Sequence, residues 1–325
     1  MVSPDPSSFE ICSIGGNLAT NAGGLCCVRY GVTDDYVLGM QVVLADGPAV
    51  RLGGTTVKNV AGYDLSSLFV GSEGTLGVIT EATLRLRPAP PASAVIVGSF
   101  GSLGDAGRAV AAVMAAERPA ALELMDQAAL NAVEDAAPMG LDRTAAALLL
   151  ASSDAGGGEA DRIGRHFQDS GATYVARSTD PDEGAMLMAA RRMAIPCVER
   201  RGTVLIEDVG VSLPRIPELL ARIQHTAQAR ETSIPVIGHA GDGNFHPLVT
   251  YDDADPDATD RARAAFDDVM HAALELGGTI TGEHGVGMLK SHLLQAQLGD
   301  DVMELNRRIK AALDPHDILN PGKWV

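Results

Sequence analysis

Hydrophobic positions change their spacing along the chain, and the change divides it. Up to about Pro91 the apolar residues come in short runs such as VLGMQVVLADG, interrupted by Gly and Asn, with few helical repeats. That pattern predicts strands joined by tight loops. The segment LRLRPAPPAS then carries Pro88, Pro90 and Pro91, and proline ends helices and ladders alike. The expected division is therefore 1–91 and 92–325. Beyond it, strand-like and helix-like stretches alternate: SAVIVGSF, LGDAGRAVAAVMAAE, TAAALLLAS, GEADRIGRHFQDSG and ATYVAR follow one another. Two longer helices are expected at PRIPELLARIQHTAQARE and ATDRARAAFDDVMHAALELGG, the second stopped by Gly277 and Gly278. The second region is expected to be an α+β domain.

Composition narrows the function classes. The 325 residues are 46% hydrophobic, enough to bury real cores. The formal charge of −17 argues against nucleic acid or an anionic membrane as the main partner. No apolar run approaches the ~18 residues of a membrane span. The first residues lack a basic and then apolar leader pattern, so the expected location is cytoplasmic. Cys12, Cys26, Cys27 and Cys197 show no metal or disulfide spacing and are given no role.

The chemistry concentrates in GHAGDGNFHPLVTYD. On one helix, His239 and His246 would lie ~10.5 Å apart along the axis, too far for one metal that needs each nitrogen at ~2.1 Å. In one straight strand their odd offset points them to opposite faces. The intervening Gly241, Asp242, Gly243 and Asn244 form turns, and a reversal there lets two neighbouring strands aim both imidazoles at one point. The second constellation is TGEHGVGMLK. Adjacent Glu283 and His284 can serve one site where Gly282, Gly285 and Gly287 free the backbone. Two His and a carboxylate are a common ligand set for a catalytic divalent metal, with His284 left beside it as a base. A His pair at this spacing is by itself more often structural, and Gly-flanked Glu-His pairs are as common in plain loops; the two together favour the metal.

In the first region, IGGNLATNAGGL is too polar for a core strand and reads as a loop whose amides can approach a phosphate, ribose or ring system. KNVAGYDLSSLFVGSEGTLGVIT repeats the glycine punctuation. Neither a Walker loop nor a Rossmann fingerprint is present.

These segments together resemble a known family. GGNLATNAGG, VKNVAGYDL, FVGSEGTLGVITEATLRLRP, GHAGDGNFHP, GEHGVGMLK and DPHDILNPGKW occur, in this order, in the flavin-linked oxidases that include D-lactate dehydrogenase, D-2-hydroxyglutarate dehydrogenase and the glycolate oxidase flavin subunit. The resemblance implies part of a vanillyl-alcohol-oxidase-type FAD-binding domain followed by a cap domain of antiparallel sheet and helices. It implies that Gly16, Asn17, Asn21, Gly23, Gly24, Gly71, Ser72, Glu73, Gly74 and Ile79 lie along FAD. It implies that His239, His246 and Glu283 bind zinc or manganese, that His284 is the base, and that Arg191 meets the substrate carboxylate. The implied reaction oxidises a 2-hydroxy acid to a 2-oxo acid. The implied partners are an unidentified electron acceptor such as an iron–sulfur subunit, and a polypeptide supplying a further FAD subdomain, because the family carries a Gly-rich pyrophosphate loop ahead of GGN and this sequence starts almost directly there. Flavin-based group transfer, and a metal-binding remnant without redox activity, are the competing readings. Two departures, Leu248 where some members have asparagine and Ile206 where some have lysine, favour lactate- or glycolate-like acids over D-2-hydroxyglutarate.

Overall fold

The computed structural model describes residues 5–91, 93–156 and 158–323. Trp324, the last residue of the final motif, lies outside them. The chain divides into two compact units, one of Met1–Ala89 with Ile280–Val325 and the other of Pro90–Thr279. The last part of the chain, which the sequence pattern groups with the second region, packs instead with the first. The glycines from Gly277 to Gly287 mark a break in regular structure there, but a break does not say with which region the following segment packs. Ile309 and Leu313 pack against a cluster of Leu18, Met40, Val42, Phe69, Val70 and Leu76. The buried Lys310 ammonium donates to the Thr75 carbonyl at 3.0 Å and the Leu319 carbonyl at 2.8 Å, and meets the Asp314 carboxylate at 2.6 Å.

The first unit holds β1 (Val37–Val43), β2 (Ala49–Gly53) and β3 (Val78–Leu84), an antiparallel sheet in the order β2-β1-β3. The stretch expected as a polar loop folds in part as a helix, Ile14–Thr20. Its glycines oppose helix, but its ends are capped. The Ser13 side chain accepts from the Gly16 amide, and Asn21 closes the other end at φ 51° with its amide directed at the Asn17 and Leu18 carbonyls. Asn tolerates this left-handed conformation better than most residues. Leu18, 1% exposed, anchors the helix to the core.

The second unit contains β4 (Ala94–Phe100), β5 (Ala121–Asp126), β6 (Ala147–Ser153), β7 (Ala172–Ser178), β8 (Thr203–Ile206), β9 (Val209–Gly210), β10 (Val236–His239) and β11 (Asn244–Tyr251). They form one antiparallel sheet in the order β7-β4-β6-β5-β10-β11-β8, with β9 added to β11. The expected strands and helices from Ser93 to Gly277 are all present, including Leu103–Ala116, Glu159–Asp169, Ile216–Ala229 and Pro256–Glu275. Helices Gln127–Ala136, Pro181–Arg192 and Ala194–Glu199 complete the unit. The interior strand ALLLASS is apolar over its first five positions because both of its faces are covered. On one face Val97, Met125, Leu148, Leu150, Ile237 and Leu248 pack under Leu130, Val133, Ala190 and Val198.

Candidate functional site

The register of the sheet explains how the histidines meet. In β10–β11, His239 stands opposite Asn244 and Ile237 opposite His246. Opposed residues share a face, and so do residues two apart, so His239 and His246 are diagonal neighbours on one face. Their rings meet edge to face with centroids 5.1 Å apart, and each residue is buried. The turn between them depends on Gly243. Its φ is +80°, its amide donates to the His239 carbonyl at 3.1 Å, and a Cβ there would run into the Val211 carbonyl oxygen.

The same register supplies their neighbours. Ile237 pairs with Met125 and Gly238 with Leu124, so one further step brings Glu123 opposite His239. The Glu123 oxygens lie 2.9 and 3.0 Å from His239 Nδ1. A hydrogen bond there puts the imidazole proton on Nδ1 and the lone pair on Nε2. On the other side Leu248 pairs with Ile206, and the register carried past Ile206 sets Asp208 beside His246. Asp208 Oδ1 lies 3.7 Å from His246 Nδ1, beyond hydrogen-bond distance. Glu123, Glu207 and Asp208 are all buried.

Arg191, which the resemblance assigned to the substrate carboxylate, is 2% exposed and sits at the end of the helix laid over this face. Its Nη2 lies 2.9 Å from Glu123 Oε2. One carboxylate thus serves both the histidine and the guanidinium. Glu123 was not singled out from sequence. The available signal was an acidic residue inside the otherwise apolar strand ALELMD, which must find partners when buried.

The first unit carries the other predicted residues. The Gly71 amide donates to the Leu18 carbonyl and the Glu73 amide to the Ala19 carbonyl, each at 2.8 Å, which ties the Gly71–Gly74 turn to the end of the first helix. Gly71 has φ +75°, and a Cβ there would press on Asn21 Cβ at 3.3 Å. Asn21 Oδ1 accepts from the Asp34 amide at 2.9 Å. Gly16 lies within the helix and Asn17 Nδ2 faces Cys12 Sγ at 3.7 Å. Ser72 is buried with its hydroxyl on the Phe69 carbonyl, and Ile79 lies on β3 against the core. Glu73 is held at φ 52°, and its carboxylate accepts from the amides of Val286 at 2.7 Å and Gly287 at 2.9 Å. Its visible partners are therefore the GEHGVG loop. A Cβ on Gly23 would collide with the Glu283 carboxylate, so those two segments are in close approach. His284 has a side chain 42% exposed, with Nε2 4.0 Å from Glu283 Oε1.

The donors at His239 and His246 fit a divalent metal. A ligating histidine characteristically donates its second ring N–H to a carboxylate, which is the arrangement His239 makes with Glu123. Imidazole suits zinc and, with oxygen donors, other divalent ions.

Comparison with known proteins places the chain in two steps. Its fold is that of the flavin oxidases: the structure of p-cresol methylhydroxylase with substrate bound matches with a TM-score of 0.76 over 98% of this chain and 70% of that one, at 18% identity. An alkyldihydroxyacetonephosphate synthase structure matches with a TM-score of 0.67 over 98% of this chain and 59% of that one, at 19% identity. At such identities the likeness concerns the fold alone. Residues 89–324 match the family "FAD linked oxidases, C-terminal domain" and residues 1–53 match "FAD binding domain". The chain belongs to the FAD-linked oxidase family. It is 42% identical to the glycolate oxidase subunit GlcD of Bacillus subtilis over 98% of this chain and 69% of that protein. It is 39% identical to the Escherichia coli K12 subunit of the same name over 99% and 66%. It is 36% identical to the mitochondrial D-lactate dehydrogenase [cytochrome] of Arabidopsis thaliana over 96% and 56%. The chain thus spans about two thirds or less of the length of these relatives.

Proposed function

We propose that the chain takes part in FAD-dependent oxidation of a small D-2-hydroxy acid, lactate- or glycolate-like, to the 2-oxo acid. The observation that carries this reading is the buried His239–His246 pair, backed by Glu123, in a chain whose relatives are named for glycolate and D-lactate. FAD would accept the hydride from C2, and the residues assigned to its surface are Gly16, Asn17, Asn21, Gly23, Gly24, the Gly71–Gly74 turn and Ile79. A zinc or manganese ion, with His239 and His246 as ligands and Glu283 added by resemblance, would make the substrate hydroxyl more acidic. His284 is the base that takes the hydroxyl proton, and its partial exposure lets it pass that proton to water.

Leu248 and Ile206 support the choice of substrate. They are cross-strand partners, with Leu248 fully buried, and offer no donor to a second carboxylate such as that of 2-hydroxyglutarate. Electrons leave to a separate acceptor, such as an iron–sulfur subunit. The word "subunit" in the relatives' names supports a multi-chain assembly. A cytoplasmic location is proposed with it; among the described residues no helix is long and apolar enough to cross a membrane.

The test is anaerobic addition of D-lactate, glycolate and D-2-hydroxyglutarate to the purified chain supplied with FAD and Mn²⁺ or Zn²⁺. Bleaching of the flavin band by the first two acids supports the proposal, and its loss in His284→Ala supports the base. A chain that binds one metal per molecule and never takes up flavin would favour the metal-binding alternative.

A further inference from the structure

Within the second unit, we propose that Glu123 and Arg191 form a positioning pair that fixes the tautomer and orientation of His239 for metal binding. Arg191 acts on His239 through Glu123. The inference rests on the proposed metal at His239 and His246.

Three observations carry it. First, Glu123 is placed by the sheet itself: the β5–β10 register sets it opposite His239, and both of its oxygens lie within 3.0 Å of His239 Nδ1. Nothing flexible intervenes between the two backbones. Second, Glu123 is buried at 1% exposure, and a buried carboxylate is retained only when charged or donor groups face it. Arg191, itself 2% exposed, faces it with Nη2 at 2.9 Å from Oε2. Third, Arg191 comes from the final turn of the helix Pro181–Arg192, whose Ala190 packs in the same apolar cluster as Ile237 and Leu248. The guanidinium is thereby anchored against the strands that carry the histidines.

The physical consequence is a relay in one direction. Arg191 holds the Glu123 carboxylate in place beside His239. The Glu123 oxygens accept a hydrogen bond from His239 Nδ1–H, which leaves the Nε2 lone pair as the ligating position. A guanidinium suits the role because it stays charged when buried and presents several donors in a fixed plane.

The experiment uses the full chain without FAD or substrate. Zn²⁺ and Mn²⁺ are titrated by calorimetry into wild type, His239→Ala, Glu123→Ala, Arg191→Met and the double variant Glu123→Ala/Arg191→Met. Histidine ring nitrogens are read by ¹⁵N NMR on the same samples, and circular dichroism confirms folding. The expected result is a loss of roughly 10–100-fold in metal affinity for Glu123→Ala, the usual effect of removing a carboxylate behind a ligating histidine. Arg191→Met weakens binding as well. The double variant is no weaker than Glu123→Ala, because both act through one contact. The NMR spectrum shows the His239 proton on Nδ1 in wild type and moved toward Nε2 in Glu123→Ala. Should Arg191→Met not fold, Arg191→Lys and the double variant, which removes both buried charges, provide the same comparison.

Unchanged metal affinity in Glu123→Ala and Arg191→Met, with binding abolished in His239→Ala, would overturn the positioning pair and leave the metal reading standing. Additive losses in the double variant would overturn the relay. Wild-type protein that binds neither metal, or His239→Ala that binds like wild type, would instead remove the metal reading on which the pair rests.

Discussion

Gly243→Ala tests the claim that the turn between β10 and β11 exists to aim the histidines. Gly243 has φ +80°, a conformation that costs an L-residue about 1–2 kcal/mol. A Cβ there would also meet the Val211 carbonyl oxygen, a backbone atom that cannot rotate away. The Val211 amide donates to the Gly243 carbonyl at 3.0 Å, so the two segments are held together and one must move. Forced repacking of this kind costs about 1–3 kcal/mol. The sum, about 2–5 kcal/mol, is a large share of the ~5–15 kcal/mol of a typical domain. Gly140→Ala is the control: φ is +76°, with nothing within 4 Å of the added Cβ, so only the backbone cost of about 1–2 kcal/mol applies. Urea unfolding followed by circular dichroism measures both variants. Gly243→Ala should be the more destabilised by about 1–3 kcal/mol, and the folded fraction should bind metal more weakly. Equal midpoints for the two variants would refute the steric reasoning.

Removing the Glu73 carboxylate in Glu73→Ala takes the acceptor from the Val286 and Gly287 amides, each bond to a charged group being worth about 1.5–3 kcal/mol. Hydrogen exchange at those two amides should rise at least tenfold, and unchanged protection would show that Glu73 does not hold the GEHGVG loop. Burial pushes the Asp314 carboxyl up, but the Lys310 ammonium and the Leu319 and Ile318 amides outweigh it and hold the group at about 2, below the ordinary 3.8. A depressed carboxylate stabilises the fold above pH 3.8 and loses that contribution as the pH falls toward 2. Wild type should therefore melt above Asp314→Asn at neutral pH, with the gap closing over that acid range; a gap independent of pH would refute the assignment. Leu130→Ala, at a fully buried position, should cost about 2–5 kcal/mol in the same unfolding assay, and a loss under 1 kcal/mol would mean the cluster repacks.

Much of this was legible along the chain because it is local. Helices such as Pro256–Glu275 carry their own period and stop signal, and the strands Ala94–Phe100, Ala147–Ser153 and Ala172–Ser178 are marked by apolar runs between turns. The histidine hairpin was readable for the same reason: an odd offset and a Gly-rich turn leave few geometries that bring both rings to one face. The helix Ile14–Thr20 was missed because its glycines lower propensity, while its Ser13 and Asn21 caps and the burial of Leu18 offset them.

What only the tertiary structure decided are the pairings between segments far apart in sequence. Glu123 meets His239 across 116 positions through strand register. Glu73 meets Val286 across 213, and Lys310 meets Thr75 across 235. Residue type and spacing pointed to His239, His246 and Glu283 as candidate metal ligands, and the family resemblance named the candidate flavin residues. Which buried carboxylate lies beside the histidine, and where Arg191 points, followed from the packing of one helix on one sheet, because a buried polar group takes the partner that the fold brings to it.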